Sequence, residues 1–275
     1  MSGRRPAPST PPPPPAVQKL ALRYAKRGTL RFASHRVLQR AFERAVRRAD
    51  LPIAYSAGFT PHPRLSYLGA APTGAASEAE YLLLRLSEVL PPALVQARLN
   101  AVMPPGLPIL QAVTWDDAVF GDLAKQLTAS LWQVELDQVD GAGVAASAAA
   151  FWALEEFQAI QVRPGPTGAA ESSRGGARSK PPRQIEVRGN VLALDLAKTS
   201  GRPCPDPGKP CAILEMVLRH ATPVVRPDDV IAALAATGLE IGLPPRATRL
   251  AQGVYAVETG LVQPFSRIAA LAPKP

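Results

Sequence analysis

Two kinds of hydrophobic periodicity alternate along this chain, in an order that leaves few architectures open. Residues 18–25, QKLALRYA, put Leu20, Leu22 and Tyr24 on one side and Lys19 and Arg23 on the other, the period of two of a half-buried strand. A turn at Arg27-Gly28 follows, with Leu30 and Phe32 closing the segment. Residues 35–49, HRVLQRAFERAVRRA, then switch to the helical period: Leu38, Phe42, Ala45, Val46 and Ala49 form one stripe, and Ser34 stands where an N-cap belongs. Leu51-Pro52 ends that helix. Short strands are expected at 53–56 and 65–70, and a firmer one at 80–87, EYLLLRLS. Pro91-Pro92 opens a second helix over about 92–103, with proline well placed at the first turn, and 109–115 closes the set as a strand. The order β-α-β(β)-α-β is that of a split βαβ unit.

The second half repeats the plan. Strands are expected at 131–139, 157–162, 185–187, 191–196, 212–220 and 246–256, with an Ala-rich helix over 142–155. Another helix runs from Arg226-Pro227-Asp228-Asp229, whose acids suit the positive end of the dipole, to Gly238 as its C′ residue. The expected fold is therefore α+β, two tandem ferredoxin-like halves with antiparallel sheets over 17–116 and 130–257. Residues 1–16 read as a disordered Pro-rich tail, 164–184 as a mobile basic insertion, and 258–275 as an irregular tail.

Charge separates the two halves. Residues 17–68 carry eleven Lys and Arg against two acids, Glu43 and Asp50, so the net +9 of the whole chain is concentrated there. On the first helix Arg36, Arg40, Arg44 and Arg48 recur every fourth residue. Like charges at that spacing repel by a few tenths of a kcal/mol per pair, roughly, and an anion beside them relieves the repulsion. Such a segment attracts polyanions, most simply nucleic acid; the plainer reading is a solubilising face.

Several chemistries find no motif. There is no GxxxxGK[ST], no GxGxxG after a strand, no GxSxG and no HExxH, so no cofactor is expected. Three histidines and two cysteines offer no metal-ligand spacing, and no CxxxCxxC is present to hold an iron–sulfur centre. Cys204 and Cys211, seven apart with three prolines between them, read chiefly as incidental thiols, otherwise as a local disulfide or half a metal site. No run of about 18 apolar residues indicates a membrane span, and no apolar segment follows Arg4-Arg5 as in an export signal, so the expected setting is the reducing cytoplasm.

The stretch from Leu30 to Gly74 carries a resemblance. Its LRF-SH-R hook, the RA--RA-RRA-LP helix, the AYS-GF-PHP turn and the APTG-ASEAEY step resemble the radical-SAM-associated protein family, a domain of unknown function. The likeness is specific over about 17–115 and looser over 130–256. In that family the domain stands alone or behind a radical-SAM module, and standalone members tend to be encoded beside ribonuclease E/G-type proteins. The resemblance thus implies RNA as a partner, or a radical-SAM or ribonuclease E/G-type protein. The hook and helix are also similar, at fold level only, to Cas6-type CRISPR RNA-processing proteins.

The candidate nucleic-acid contacts are Arg31, His35, Arg36, Arg40, Arg44, Arg47 and Arg48, with Phe59, His62 and Arg64 from a loop stiffened by Pro61 and Pro63. His35, at the start of the helix, is either a structural imidazole, a phosphate contact, or, as the one weak catalytic candidate, a general base. Phe59 has the alternative of capping the sheet. Gly69–Gly74 reads as a strand exit with close backbone packing, or as an anion contact. The expected function is an RNA-binding accessory factor, most simply not an enzyme; the alternatives are a protein-docking subunit and a metal-independent endoribonuclease.

Overall fold

A computed structural model of the chain describes residues 13–57, 60–161, 183–197 and 209–266. It divides between Ala124 and Lys125 into two compact units. The first holds β1 (Gln18–Lys26), a 3₁₀ turn (Gly28–Phe32), α1 (His35–Arg48), β2 (Leu65–Leu68), β3 (Ala76–Leu86), α2 (Pro92–Asn100), β4 (Ile109–Thr114) and the single turn α3 (Asp117–Phe120). Its strands lie in the order β4-β1-β3-β2, every neighbouring pair antiparallel. α1 and α2 therefore each link two strands separated by one other, an order compatible with the ferredoxin-like plan.

Alternation sets what this unit buries. Leu20, Leu22 and Tyr24 of β1 and Leu82, Leu84 and Leu86 of β3 form one core with Leu38, Phe42, Ala45 and Val46 of α1 and Val95 and Leu99 of α2. Phe42 packs edge-on against Tyr24, centroids 4.8 Å apart. The stripe expected from the helical period is the stripe that is buried, so the opposite side of α1 faces water.

The segment 53–56 does not form the expected strand. Only isolated bridges remain, Ile53 to Leu86 and Tyr55 to Pro63, because Pro52, Pro61 and Pro63 remove ladder donors on either side. β2 stops at Leu68, where Gly69 takes a positive φ of 55°. β3 begins four residues earlier than its apolar run suggests.

The second unit holds β5 (Ala129–Asp137), α4 (Gly141–Trp152), β6 (Gln158–Gln161), β7 (Arg183–Glu186), β8 (Val191–Leu196), β9 (Cys211–Arg219), α5 (Pro227–Ala236), β10 (Arg246–Ala256) and β11 (Gly260–Val262). The order β10-β5-β9-β8, again antiparallel, repeats that of the first unit, with β6 and β7 as a separate hairpin. Both helix ends of α5 follow the sequence. The Asp229 carboxylate accepts from the Arg226 backbone N–H at 2.8 Å, and Gly238, at φ 106°, lets the Leu239 N–H reach the Leu234 carbonyl at 2.9 Å. Cys211 is disulfide-bonded, which corrects the reading of it as an incidental thiol; Cys204 lies outside the described residues, as does nearly all of 164–184.

β11 is an ordered strand within the stretch expected to be irregular. Gly260, at φ 67°, turns the chain back so that Val254, Tyr255 and Ala256 pair with Val262, Leu261 and Gly260. The return passes over Gly253, where an added Cβ would lie 2.0 Å from the Val262 carbonyl oxygen. Gly253→Ala is therefore expected to destabilise the protein by about 1–3 kcal/mol through overpacking against backbone, read as a lowered urea midpoint. An unchanged midpoint would show that β11 is not held there in solution.

Candidate nucleic-acid interface

The candidate interface is built on α1. Ser34 caps it, its Oγ accepting from the Val37 N–H at 3.4 Å. The buried stripe then fixes the rotation of the helix. At 100° per residue, Arg36, Arg40, Arg44, Arg47 and Arg48 span an arc of about 120° opposite that stripe. All five are exposed. Arg47 donates from Nε to the Glu43 carbonyl at 2.9 Å. Among the described residues, none of Arg36, Arg40, Arg44 or Arg48 forms an ion pair, whereas Lys19 pairs with Asp117, Arg27 with Glu78, and Arg246 with Glu135 and Asp137. Arg47 and Arg48 also suit the negative end of the helix dipole. Arg98 of α2 reaches that same end, donating to the Asp50 carbonyl at 3.4 Å. Arg98 extends the basic surface and was not legible in the sequence, because it stands 48 residues from its partner.

Not every cation of the basic segment belongs to this surface. Arg27 is held by Glu78 in a two-pronged pair, 2.7 and 2.5 Å, and Lys19 is held by Asp117. Lys26 is buried, its Nζ donating to the Ala71 and Pro72 carbonyls at 3.2 and 3.1 Å. The exposed positive face is thus narrower than the charge count suggests, and it coincides with α1.

His35 is the first residue of α1 and is exposed. Its ring stands edge-on to Tyr67 at 5.2 Å, Tyr67 is edge-on to Phe42 at 5.8 Å, and Phe42 meets Tyr24 in the core. The imidazole is therefore the outer end of an aromatic ladder, rather than bonded to the preceding strand. The buried Tyr67 hydroxyl lacks a hydrogen-bond partner, and burial, seconded by the Glu43 charge, raises its pKa above the usual tyrosine range.

His62 and Arg64 are exposed, and their backbone is hydrogen-bonded to the 54–56 segment. The His62 N–H donates to Ser56 Oγ at 3.0 Å, the Ser56 N–H to the His62 carbonyl at 2.9 Å, and the Arg64 N–H to the Ala54 carbonyl at 2.9 Å. Phe59 lies outside the described residues.

Arg31 is half-buried. Its Nε donates to the Gly74 carbonyl at 2.5 Å, its own carbonyl accepts from the Gly74 N–H at 2.8 Å, and its guanidinium lies 5.4 Å from the centre of the Phe32 ring. The 69–74 loop leaves β2 at the positive-φ Gly69 and is held by hydrogen bonds to Glu80 and Arg31. Its Ala71 N–H goes to Glu80 at 3.2 Å and its Gly74 N–H to Arg31, so these two amides are not offered to an anion.

The third histidine, His220, makes a 2.7 Å hydrogen bond through Nδ1 with the Leu127 carbonyl, and burial, chiefly, lowers its pKa. Among the described residues no three His, Cys, Asp or Glu side chains gather as a metal site, and no helix is long and apolar enough to cross a membrane.

A family model described as an uncharacterised protein conserved in bacteria, DUF2344, matches residues 19–227. No curated protein matches the chain. Among solved structures, a chain from the crystal structure of a Cbf5-Nop10-Gar1 complex is similar with a TM-score of 0.43 at 9% identity, over 90% of the present chain and 54% of that one. The present chain thus spans about half the length of that solved chain.

Proposed function

Because the chain belongs to the DUF2344 family of uncharacterised conserved bacterial proteins, its role has to be read from its own surface, and we propose that it is an RNA-binding accessory factor in RNA processing or modification. The observation that carries this reading is the arginine arc of α1: exposed, backed by a buried stripe, and without a paired carboxylate at Arg36, Arg40, Arg44 or Arg48 among the described residues. From Arg36 to Arg48 the arc runs about 18 Å at 1.5 Å per residue, enough to follow several phosphates of one strand. Affinity arises as those phosphates are neutralised and their counterions released. His62 and Arg64 add contacts from backbone held by hydrogen bonds to Ser56 and Ala54. The choice of RNA over DNA rests on the resemblance to RNA-associated families. No step of chemistry is assigned to His35, whose ring is braced on Tyr67.

Filter binding of single-stranded RNA against salt tests the reading. Four phosphate contacts predict a slope of log K on log salt of about −3, at about 0.7 per contact. A flat salt profile, or equal preference for an uncharged polymer, would overturn it. The competing occupant is an acidic protein surface, such as a radical-SAM or ribonuclease E/G-type partner. A partner that stays bound after nuclease treatment, together with no salt-dependent RNA binding, would favour that reading.

A further inference from the structure

Phe32, a large aromatic residue, is 66% exposed. The cause is local. Gly28 turns the chain at φ 58°, and residues 28–32 wind into a 3₁₀ turn instead of continuing β1. The ring does not hang on a loose segment. The Ala33 N–H closes the turn on the Leu30 carbonyl at 2.9 Å, and Leu30 packs against the core. Arg31 is tied to Gly74 through both its backbone carbonyl and its Nε, which places its guanidinium near one face of the Phe32 ring. An aromatic ring is therefore presented to solvent on a fixed backbone with a cation beside it. Arg36, the first residue of the arc, is four residues away, at most about 14 Å along the chain. The nearby acid Glu78 is occupied by Arg27.

We propose that Phe32, backed by Arg31, is a stacking platform for an unpaired base of the RNA whose phosphates lie along α1; this rests on the RNA reading above. A ring with a neighbouring guanidinium offers a flat apolar face and a positive charge, and a splayed-out nucleotide offers the complement of both. A duplex does not, since its bases already stack on one another. The platform therefore selects single-stranded segments, loops or bulges, while the arc alone accepts any polyanion.

The test compares fluorescein-labelled single-stranded RNA with the same strand annealed to its complement, using the full chain as wild type, Phe32→Ala and Phe32→Tyr. Phe32→Ala is expected to weaken single-strand binding by about 5- to 150-fold, leaving duplex affinity and the salt slope unchanged, and Phe32→Tyr is expected to retain binding. In Phe32→Trp, the new indole fluorescence should be quenched by single strand and not by duplex. Equal loss on both ligands, or no loss on either, overturns the platform while salt-dependent wild-type binding leaves the arc standing. Absence of binding by wild type overturns both. Loss of a nuclease-resistant protein partner in Phe32→Ala, with RNA binding unchanged, would also overturn the platform.

Discussion

The variant Arg40→Glu/Arg44→Glu/Arg48→Glu is expected to lose RNA affinity by at least about 100-fold near physiological salt. Each lost phosphate contact flattens the salt slope by about 0.7–0.9, so the variant should shallow it by about 2–3. At roughly 0.15 M salt that difference alone is worth about two decades, and three new negative charges add repulsion. Stability should change little, because all three side chains are exposed and none is ion-paired among the described residues. Two local effects oppose each other. Reversal at 40 creates an attractive i,i+4 pair with Arg36, whereas reversal at 48 sets an acid against the negative end of α1, each worth about 1 kcal/mol or less. Urea titration separates loss of binding from loss of fold. Wild-type affinity and an unaltered salt slope in a folded variant would remove the arc from the site.

The arc was legible because one segment carries two complementary periodic signals. Leu38, Phe42, Ala45, Val46 and Ala49 define the inside of α1, and the arginines fall opposite by the same arithmetic. The strand order of each unit follows from similar local patterns. What sequence could not show were pairings across distance. Lys19, Lys26 and Arg27 look like part of one basic face, yet their partners Asp117, Ala71, Pro72 and Glu78 lie 45 to 98 residues away. The exposure of Phe32 was not legible for a different reason. The turn at Arg27-Gly28 is readable, but alternation describes only extended backbone, and the 3₁₀ winding of residues 28–32 decides which side of the turn Phe32 takes. The helix and strand periods thus reveal which side of an element is wet, but not which exposed charges another segment will claim.

Lys26→Met is expected to destabilise the first unit by about 1–3 kcal/mol, the usual cost of removing the donor from hydrogen-bonded groups in a part-buried loop. Lys26 and Glu80 are each 1% exposed, and both engage the same residue of the 69–74 loop. The ammonium donates to the Ala71 and Pro72 carbonyls at 3.2 and 3.1 Å, and the carboxylate accepts from the Ala71 N–H at 3.2 Å. Methionine fills the volume of the lysine stem but supplies neither the charge nor the donors. Two loop carbonyls then lose their donor, and a positive charge is lost from the loop that the Glu80 carboxylate also holds. The double variant Lys26→Met/Glu80→Gln should recover part of that loss, since both groups hold the same loop residue, Ala71, and groups that share a partner are not additive. The loop also anchors Arg31 through Gly74, and Arg31 flanks Phe32. Cleavage by a protease within 69–74 should therefore accelerate in Lys26→Met, and single-stranded RNA binding should fall more than duplex binding. A single variant that costs under about 1 kcal/mol, or a double variant equal to the sum of its parts, would show that the two groups do not act as a pair.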